Sequence, residues 1–267
     1  MYLRELRPVN PIDASEDPRK PTVITRGNVL CLSGVGLERE HNEDACGFAH
    51  GCILAVSDGM GGHPAGELAS QAAIHASLGH VDGVIRKASV VPSKFAMPSD
   101  EAILLDAFAS ASRAVDRLAA KHGVDGELPG CTLIMAIVRR DHATIAHVGD
   151  SRAYVCLRRR GVRTSSPMVR AVTTDHAIES ALTRCLGGRA RRYTAPEVTV
   201  VSLFDGDSVM LCSDGLTGCV SDAMIESEWI WSLSSTDQHE HFARSLYDAC
   251  LAFGAHDNVT IALMGTK

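Results

Sequence analysis

No apolar run in this chain approaches the roughly 18 residues needed to cross a membrane as a helix. No C-x-x-C pair occurs among its nine scattered cysteines, and their number is odd. That usage suits reduced thiols in a cytoplasm better than a disulfide framework. A basic excess is also missing. The net charge of −6 argues against a chain built mainly to hold nucleic acid. The N-terminal stretch "MYLRELRPVNPIDASEDPRKP" lacks the apolar core of a secretory signal. These absences lead us to expect a cytoplasmic monomer with neither a nucleic-acid nor a membrane partner. Nothing marks a second globular domain. The 267 residues, 45% of them hydrophobic, are ample for one buried core.

Residues 1–27 read as an extended leader, because Pro8, Pro11, Pro18 and Pro21 forbid a regular helix. Strands are expected over 28–36 and 51–57, the second bounded by Gly51 and Asp58-Gly59. A helix should start at Pro64 and run through "AGELASQAAIHASL", followed by a loop over 81–99. Asp100 is the expected cap of a second helix, with Leu104, Phe108, Ala111, Val115 and Leu118 on one face and Gly123 as its end. Six strand-like segments follow: "CTLIMAIVRR", "HATIAHVG", "RAYVCLRR", "MVRAVT", "EVTVVSL" and "SVMLCS". Turns fall at Asp141-His142 and Arg160-Gly161. A last helix carries Phe242, Leu246, Ala249 or Cys250, and Phe253, and stops at Gly254; "NVTIALM" closes the chain. Many antiparallel-looking strands, with helices grouped in pairs, suggest an α+β layered domain rather than alternating βαβ units.

One echo stands out. "LAVSDGMGG" (54–62) and "MLCSDGLTG" (210–218) both drive an apolar run into Ser-Asp-Gly. Asp150 likewise follows "TIAHVG", Asp257 opens "NVTIALM", and Asn42-Glu43-Asp44 follows the first strand. A carboxylate at the end of a buried strand is costly unless something positive compensates it. Several of them converging would form an oxygen-rich pocket for Mg²⁺ or Mn²⁺. Gly59 and Gly215 would let the backbone turn sharply, with positive φ available, so that a carbonyl faces the same cation. Any one Asp-Gly is an ordinary turn signal. The conjunction of four or five such strand ends is what favours a metal site.

In this order the motifs resemble the metal-dependent serine/threonine phosphatases of the protein phosphatase 2C class, in their bacterial form. The resemblance rests on "RxxNED" (39–44), "SDGMGGHxxGE" (57–67), "GDSRAY" (149–154), "TTDH" (173–176), "TRCLGG" (183–188), "SDGLTG" (213–218) and "DNVT" (257–260). It implies a four-layer α-β-β-α sandwich, two antiparallel sheets flanked by helix pairs, with two Mn²⁺ or Mg²⁺ ions at one edge. By resemblance, Asp58 bridges the two metals, the Gly59 carbonyl ligates one, and Asp214 and Asp257 hold the other. Glu43 and Asp44 contact metal-bound water, Arg39 binds the phosphate, and Asn258 supports the site. A metal-bridging water attacks phosphorus directly, so no cysteine nucleophile is required; Cys46, Cys52, Cys131, Cys212 and Cys219 do not fit a CxxxxxR loop. Residues 28–267 would be the catalytic domain, acting on phosphorylated proteins and opposing a Ser/Thr kinase.

Three departures bear on that expectation. Met60 stands where eukaryotic relatives place a histidine. His63 is the nearby candidate proton donor, though it reads equally well as a solvated helix-entry residue. Only "AIESAL" (177–182) separates "TTDH" from "TRCLGG", so the flap segment of many bacterial relatives is reduced. Gly218 replaces an aspartate that, with Asp150, helps hold a third metal in relatives; a weak third site is expected. The alternatives are a pseudophosphatase that binds phosphoproteins without hydrolysis, and a small-molecule phosphatase. "RRRGVR" (158–163) is a docking surface or a solvated hairpin turn.

Overall fold

The computed structural model describes residues 7–9, 20–61, 65–90, 97–122, 128–158, 168–178, 181–188, 195–233 and 237–266. In chain order the strands begin with β1 (Arg7–Val9), β2 (Thr22–Arg26), β3 (Val29–Gly34), β4 (Ala45–Ala49), β5 (Ile53–Ser57) and β6 (Gly59–Met60). The helices α1 (Ala65–Val90) and α2 (Asp100–His122) come next. They are followed by β7 (Gly130–Cys131), β8 (Leu133–Val138), β9 (His142–Val148), β10 (Arg152–Leu157), β11 (Met168–Ala171), β12 (Ala177–Ile178), β13 (Ala181–Leu182), β14 (Leu186–Gly187), β15 (Glu197–Ser202) and β16 (Ser208–Cys212). The short α3 (Asp214–Thr217), then α4 (Asp222–Ser232), α5 (Gln238–Ala252) and β17 (Val259–Gly265) complete the described chain.

Among the described residues, two six-stranded antiparallel sheets form, ordered β1-β4-β5-β8-β9-β15 and β11-β10-β16-β17-β3-β2. The strand sequences explain the layering. In β8, Leu133, Met135 and Ile137 pack with α1 and α2, whereas Ile134, Ala136 and Val138 pack against the other sheet. In β16, Val209 and Leu211 face the first sheet, while Met210 and Cys212 join Phe242 and Leu246 of α5. Side chains alternate across a strand, and both faces of each sheet are covered, so the central strands read as unbroken apolar runs. Three apolar layers therefore separate four layers of structure, as the resemblance implied.

Several local expectations are corrected. α1 does not stop near Leu78 but continues to Val90. Val81 is buried and Val84 and Ile85 pack on the same cluster, so the apolar stripe carries the helix through Gly79 and Gly83. Ser99, not Asp100, caps α2: its Oγ accepts from Ala102 N at 3.2 Å, while Asp100 is engaged by Arg139 at 2.9 and 2.5 Å. Phe253 lies past the end of α5 and is 55% exposed rather than in the core. Within the expected leader, β2 is an edge strand paired to β3, and β1 pairs with β4. β4 and α4 were not anticipated. Pro64, Gly123 and the Arg160-Gly161 turn lie outside the described residues.

Candidate metal centre

Antiparallel pairing brings the ends that carry acidic residues to one edge. Ala45 opposes Ser57, Val259 opposes Gly34, Cys212 opposes Ile261, and Leu133 opposes Val148. Asp58, Asp214, Asp257 and Asp150 therefore emerge on the same rim, and the 35–44 loop that joins the two sheets crosses it. The two Ser-Asp-Gly copies use their serines differently. Ser57 Oγ donates to Thr132 O at 2.6 Å, fixing the end of β5, and Asp58 N donates to Thr132 Oγ1 at 2.9 Å. Ser213 Oγ donates to Asp44 Oδ2 at 2.7 Å. The glycines are needed for closeness, not for positive φ, which neither adopts. A Cβ on Gly59 would overlap Gly66 O, and one on Gly215 would overlap Asn258 O. The chain after Asp58 continues as β6, whereas the chain after Asp214 turns into α3.

Asn258 is the joint of this rim. Its Oδ1 accepts from Glu43 N at 2.8 Å, and its Nδ2 donates to Val35 O at 2.9 Å and His41 O at 3.0 Å. One buried amide thus ties the 35–44 loop to β17. The Glu43 carboxylate lies against Gly66 in the first turn of α1, where exposed N–H groups favour an anion.

A cavity of about 280 Å3 is lined by Arg39, Glu43, Asp58, Gly59, Asp150, Asp214, Asp257 and Asn258, with Met60, Gly61, Thr132 and Leu182 completing its wall. Eight of the ten expected site residues thus meet there. Asp44 sits just behind, 1% exposed, and His63 lies outside the described residues. Arg39 is the only cation among the described lining residues. Its Nη2 donates to Asp257 Oδ2 at 2.8 Å, so the guanidinium rests on a carboxylate and not on open solvent.

Crowded acids resist ionising. Burial, then the charges of Asp44, Asp214 and Asp257, hold the Asp58 carboxyl well above the usual carboxylate range. Burial raises Asp214 too, with the charge of Asp257 adding to it and the contact with Asp58 opposing it. Burial pushes Asp44 up to about 8 against the opposing hydrogen bond from Ser213. Burial and Asp214 push Asp150 up to about 6. Asp44 Oδ1 and Asp214 Oδ1 are buried with no hydrogen-bond partner. Orphaned carboxyl oxygens in an all-oxygen donor set fit hard divalent cations, which would supply the compensating charge.

Sequence patterns missed the supporting residues Thr132, Ser213 and the Asp175-His176 pair. Ser213 and the Asp175-His176 pair lie within the motifs SDGLTG and TTDH but were given no role of their own, and Thr132 is a polar residue at the head of an apolar run. The cysteine survey also left out Cys185, which has Arg191 six residues on. Burial raises the Cys185 thiol, the opposite of what a thiolate nucleophile needs, and Arg191 lies outside the described residues.

Comparison with known proteins bears on this geometry. The protein phosphatase 2C family model matches residues 38–257. The serine/threonine protein phosphatase PstP of Mycobacterium tuberculosis is 31% identical over 242 residues; the match takes in 85% of this chain, which spans only 43% of the length of PstP. The serine/threonine phosphatase stp of Listeria innocua is 27% identical over 253 residues, covering 86% of this chain and 92% of that protein. A crystal structure of the PstP catalytic domain in complex with two manganese ions superposes with a TM-score of 0.69 at 28% identity, covering 91% of this chain and 99% of that one.

Proposed function

Because this chain belongs to the protein phosphatase 2C family, we propose that it is a metal-dependent phosphatase of phosphoserine and phosphothreonine in proteins. The observation that carries the reading is the convergence of Asp58, Asp150, Asp214 and Asp257 with Glu43 and Arg39 on one cavity. Asp58, the Gly59 carbonyl, Asp214 and Asp257 would hold two Mn²⁺ or Mg²⁺ ions, the number present in the PstP catalytic domain. Asp150 would hold a third more weakly. Such ions supply Lewis acidity and lower the pKa of water.

The protein's own groups do the rest. Burial and crowding hold the carboxyls of Asp58 and Asp214 above the usual range, so loading of cations would be coupled to loss of protons. Glu43 and Asp44 orient the attacking water from the 35–44 loop, whose position Asn258 sets. Arg39 exchanges Asp257 for the substrate's phosphoryl oxygens, a geometry its planar fork suits. The short hairpin β12–β13 is the reduced flap. Leu182, at its end, forms one wall of the cavity, and a flap this short would leave room for a phosphorylated side chain on a protein surface. Free thiols at all nine cysteines support a cytoplasmic location, and no helix among the described residues is long and apolar enough to cross a membrane. A Ser/Thr kinase would supply the phosphoprotein substrates. The direct test is release of phosphate from a phosphothreonine peptide and from metabolite phosphates, each with and without Mn²⁺. Preference for metabolites would move the substrate class away from proteins.

A further inference from the structure

The turn that presents Asp150 is one that glycine adopts freely and other residues do not. Gly149 adopts φ +112°, and a Cβ there would meet Thr132 Cγ2 at 2.5 Å. Glycine enters that region without strain and leaves it as readily, so a fixed turn needs contacts that hold it. Three contacts do so. His176 grips Gly149 on both sides of its peptide: His176 N donates to Gly149 O at 3.0 Å, and Gly149 N donates to His176 Nδ1 at 3.1 Å. Ser151 Oγ lies 2.8 Å from Thr132 Oγ1, the same oxygen that receives Asp58 N. Arg152 is held by Asp175 through two parallel bonds, Nε to Oδ1 at 2.8 Å and Nη2 to Oδ2 at 2.7 Å. Residues 149, 151 and 152 are thus all anchored, and the free side chain between them is Asp150, which lines the cavity.

The His176 ring is itself held. It stacks on the buried His147 with centroids 4.4 Å apart and planes 6° from parallel, and His147 Nε2 donates to Thr174 O at 2.9 Å. Glu197 Oε2 lies 3.4 Å from His176 Nε2. A cation shared by His147, His176 and Glu197 is a poor alternative. Ligand lone pairs lie in the ring planes, and parallel planes do not meet at one ion; Arg184 Nη1 already lies 2.8 Å from His176 Nε2. The peptide plane fixes where Gly149 N–H points, whereas the Arg184 side chain can rotate, so Nδ1 is the nitrogen without a proton.

We propose that His176 and Asp175 are positioning residues for Asp150: His176, through its Nδ1 lone pair, locks Gly149 in its left-handed turn, and Asp175 locks Arg152, so that the Asp150 carboxylate is aimed at the cations of the proposed centre. This rests on the metal reading given above. Supporting residues of this kind are worth about 10- to 100-fold in metal affinity.

The test compares full-length wild type, His176→Asn, His176→Gln, Asp150→Asn and Asp150→Asn/His176→Gln by Mn²⁺ calorimetry, with hydrogen exchange of the Gly149 amide read by NMR. Asparagine places Oδ1 near the position of Nδ1; glutamine extends its oxygen past it. His176→Asn should stay within about twofold of wild type and keep the Gly149 amide protected. His176→Gln should lose about 10-fold in the Mn²⁺ step that Asp150→Asn also weakens, expose the Gly149 amide, and add nothing in the double variant. Equal damage from Asn and Gln, wild-type behaviour of Gln, or a further loss in the double variant would overturn the proposal. A wild type that binds no Mn²⁺ would overturn the metal reading instead, and the Gly149 amide would then decide the clamp alone.

Discussion

Asp58 lies among the carboxyl groups of Asp44, Asp214 and Asp257, and burial adds to their repulsion. Asp58→Asn keeps the shape and removes an acidic group that is costly to ionise there. The metal-free protein should melt no lower than wild type, and about 2 °C higher for each kcal/mol of repulsion relieved. Turnover should fall below detection with saturating Mn²⁺. A near-normal rate in that variant would place the centre elsewhere. Arg39 is a different kind of residue. Its ion pair with Asp257 is half-exposed on both sides, so it is worth at most about 1 kcal/mol. Arg39→Ala should therefore change Mn²⁺ affinity by less than about fivefold, toward tighter binding, because it removes a competing cation. It should lower kcat/KM by about 10- to 100-fold through the lost charge-assisted contact with phosphate. Weaker Mn²⁺ binding with unchanged kinetics would make Arg39 a structural partner of the carboxylates.

At the scale of elements, the rim is built by close backbone approach. Gly215, in α3, packs so tightly on Asn258 O that any Cβ must move the start of β17. Gly215→Ala should cost about 1–3 kcal/mol and lower the melting temperature by several degrees, where a surface Gly→Ala change in a helix would raise it. Gly218, which follows α3, is less constrained: its φ is −74°, and an added Cβ would lie 3.2 Å from Asp214 O, a contact that a shift of a few tenths of an ångström relieves. Gly218→Asp should fold and restore the anionic group that the family resemblance puts with Asp150, so calorimetry should show tighter binding of an additional Mn²⁺. Equal stoichiometry and affinity in the two proteins would remove Gly218 from the site. The strands that end in aspartate were legible in the sequence because each is an apolar run cut by a charge. β4 was not, since "ACGFA" is short and carries little strand propensity, and α1 ran past its expected end because two glycines weighed less than the apolar stripe of Val81, Val84 and Ile85.

The whole molecule brings together a charge problem that pH should expose. A carboxyl whose folded pKa lies above its unfolded value of about 3.9 favours the fold while protonated. That contribution is complete below the unfolded value and is lost as pH rises through the folded one. For Asp150 the loss runs from about 4 to about 6, and for Asp44 from about 4 to about 8. Thermal melts of the metal-free protein should therefore fall between about pH 5 and pH 8, and Mn²⁺ should remove the fall. A metal-free melting temperature that climbed across that range would contradict the crowding of these acids. The candidate site residues were readable because each sits in a local motif. The clamp of His176 on Gly149 and the Ser213–Asp44 bond were not, because they join residues 27 and 169 positions apart, and no periodicity encodes such a contact. Hydrolysis of a phosphothreonine peptide with added Mn²⁺, and then with excess EDTA, tests the central assignment most directly. Phosphate release that needs Mn²⁺ or Mg²⁺ and stops with the chelator is the expected result; full turnover in excess EDTA would contradict it.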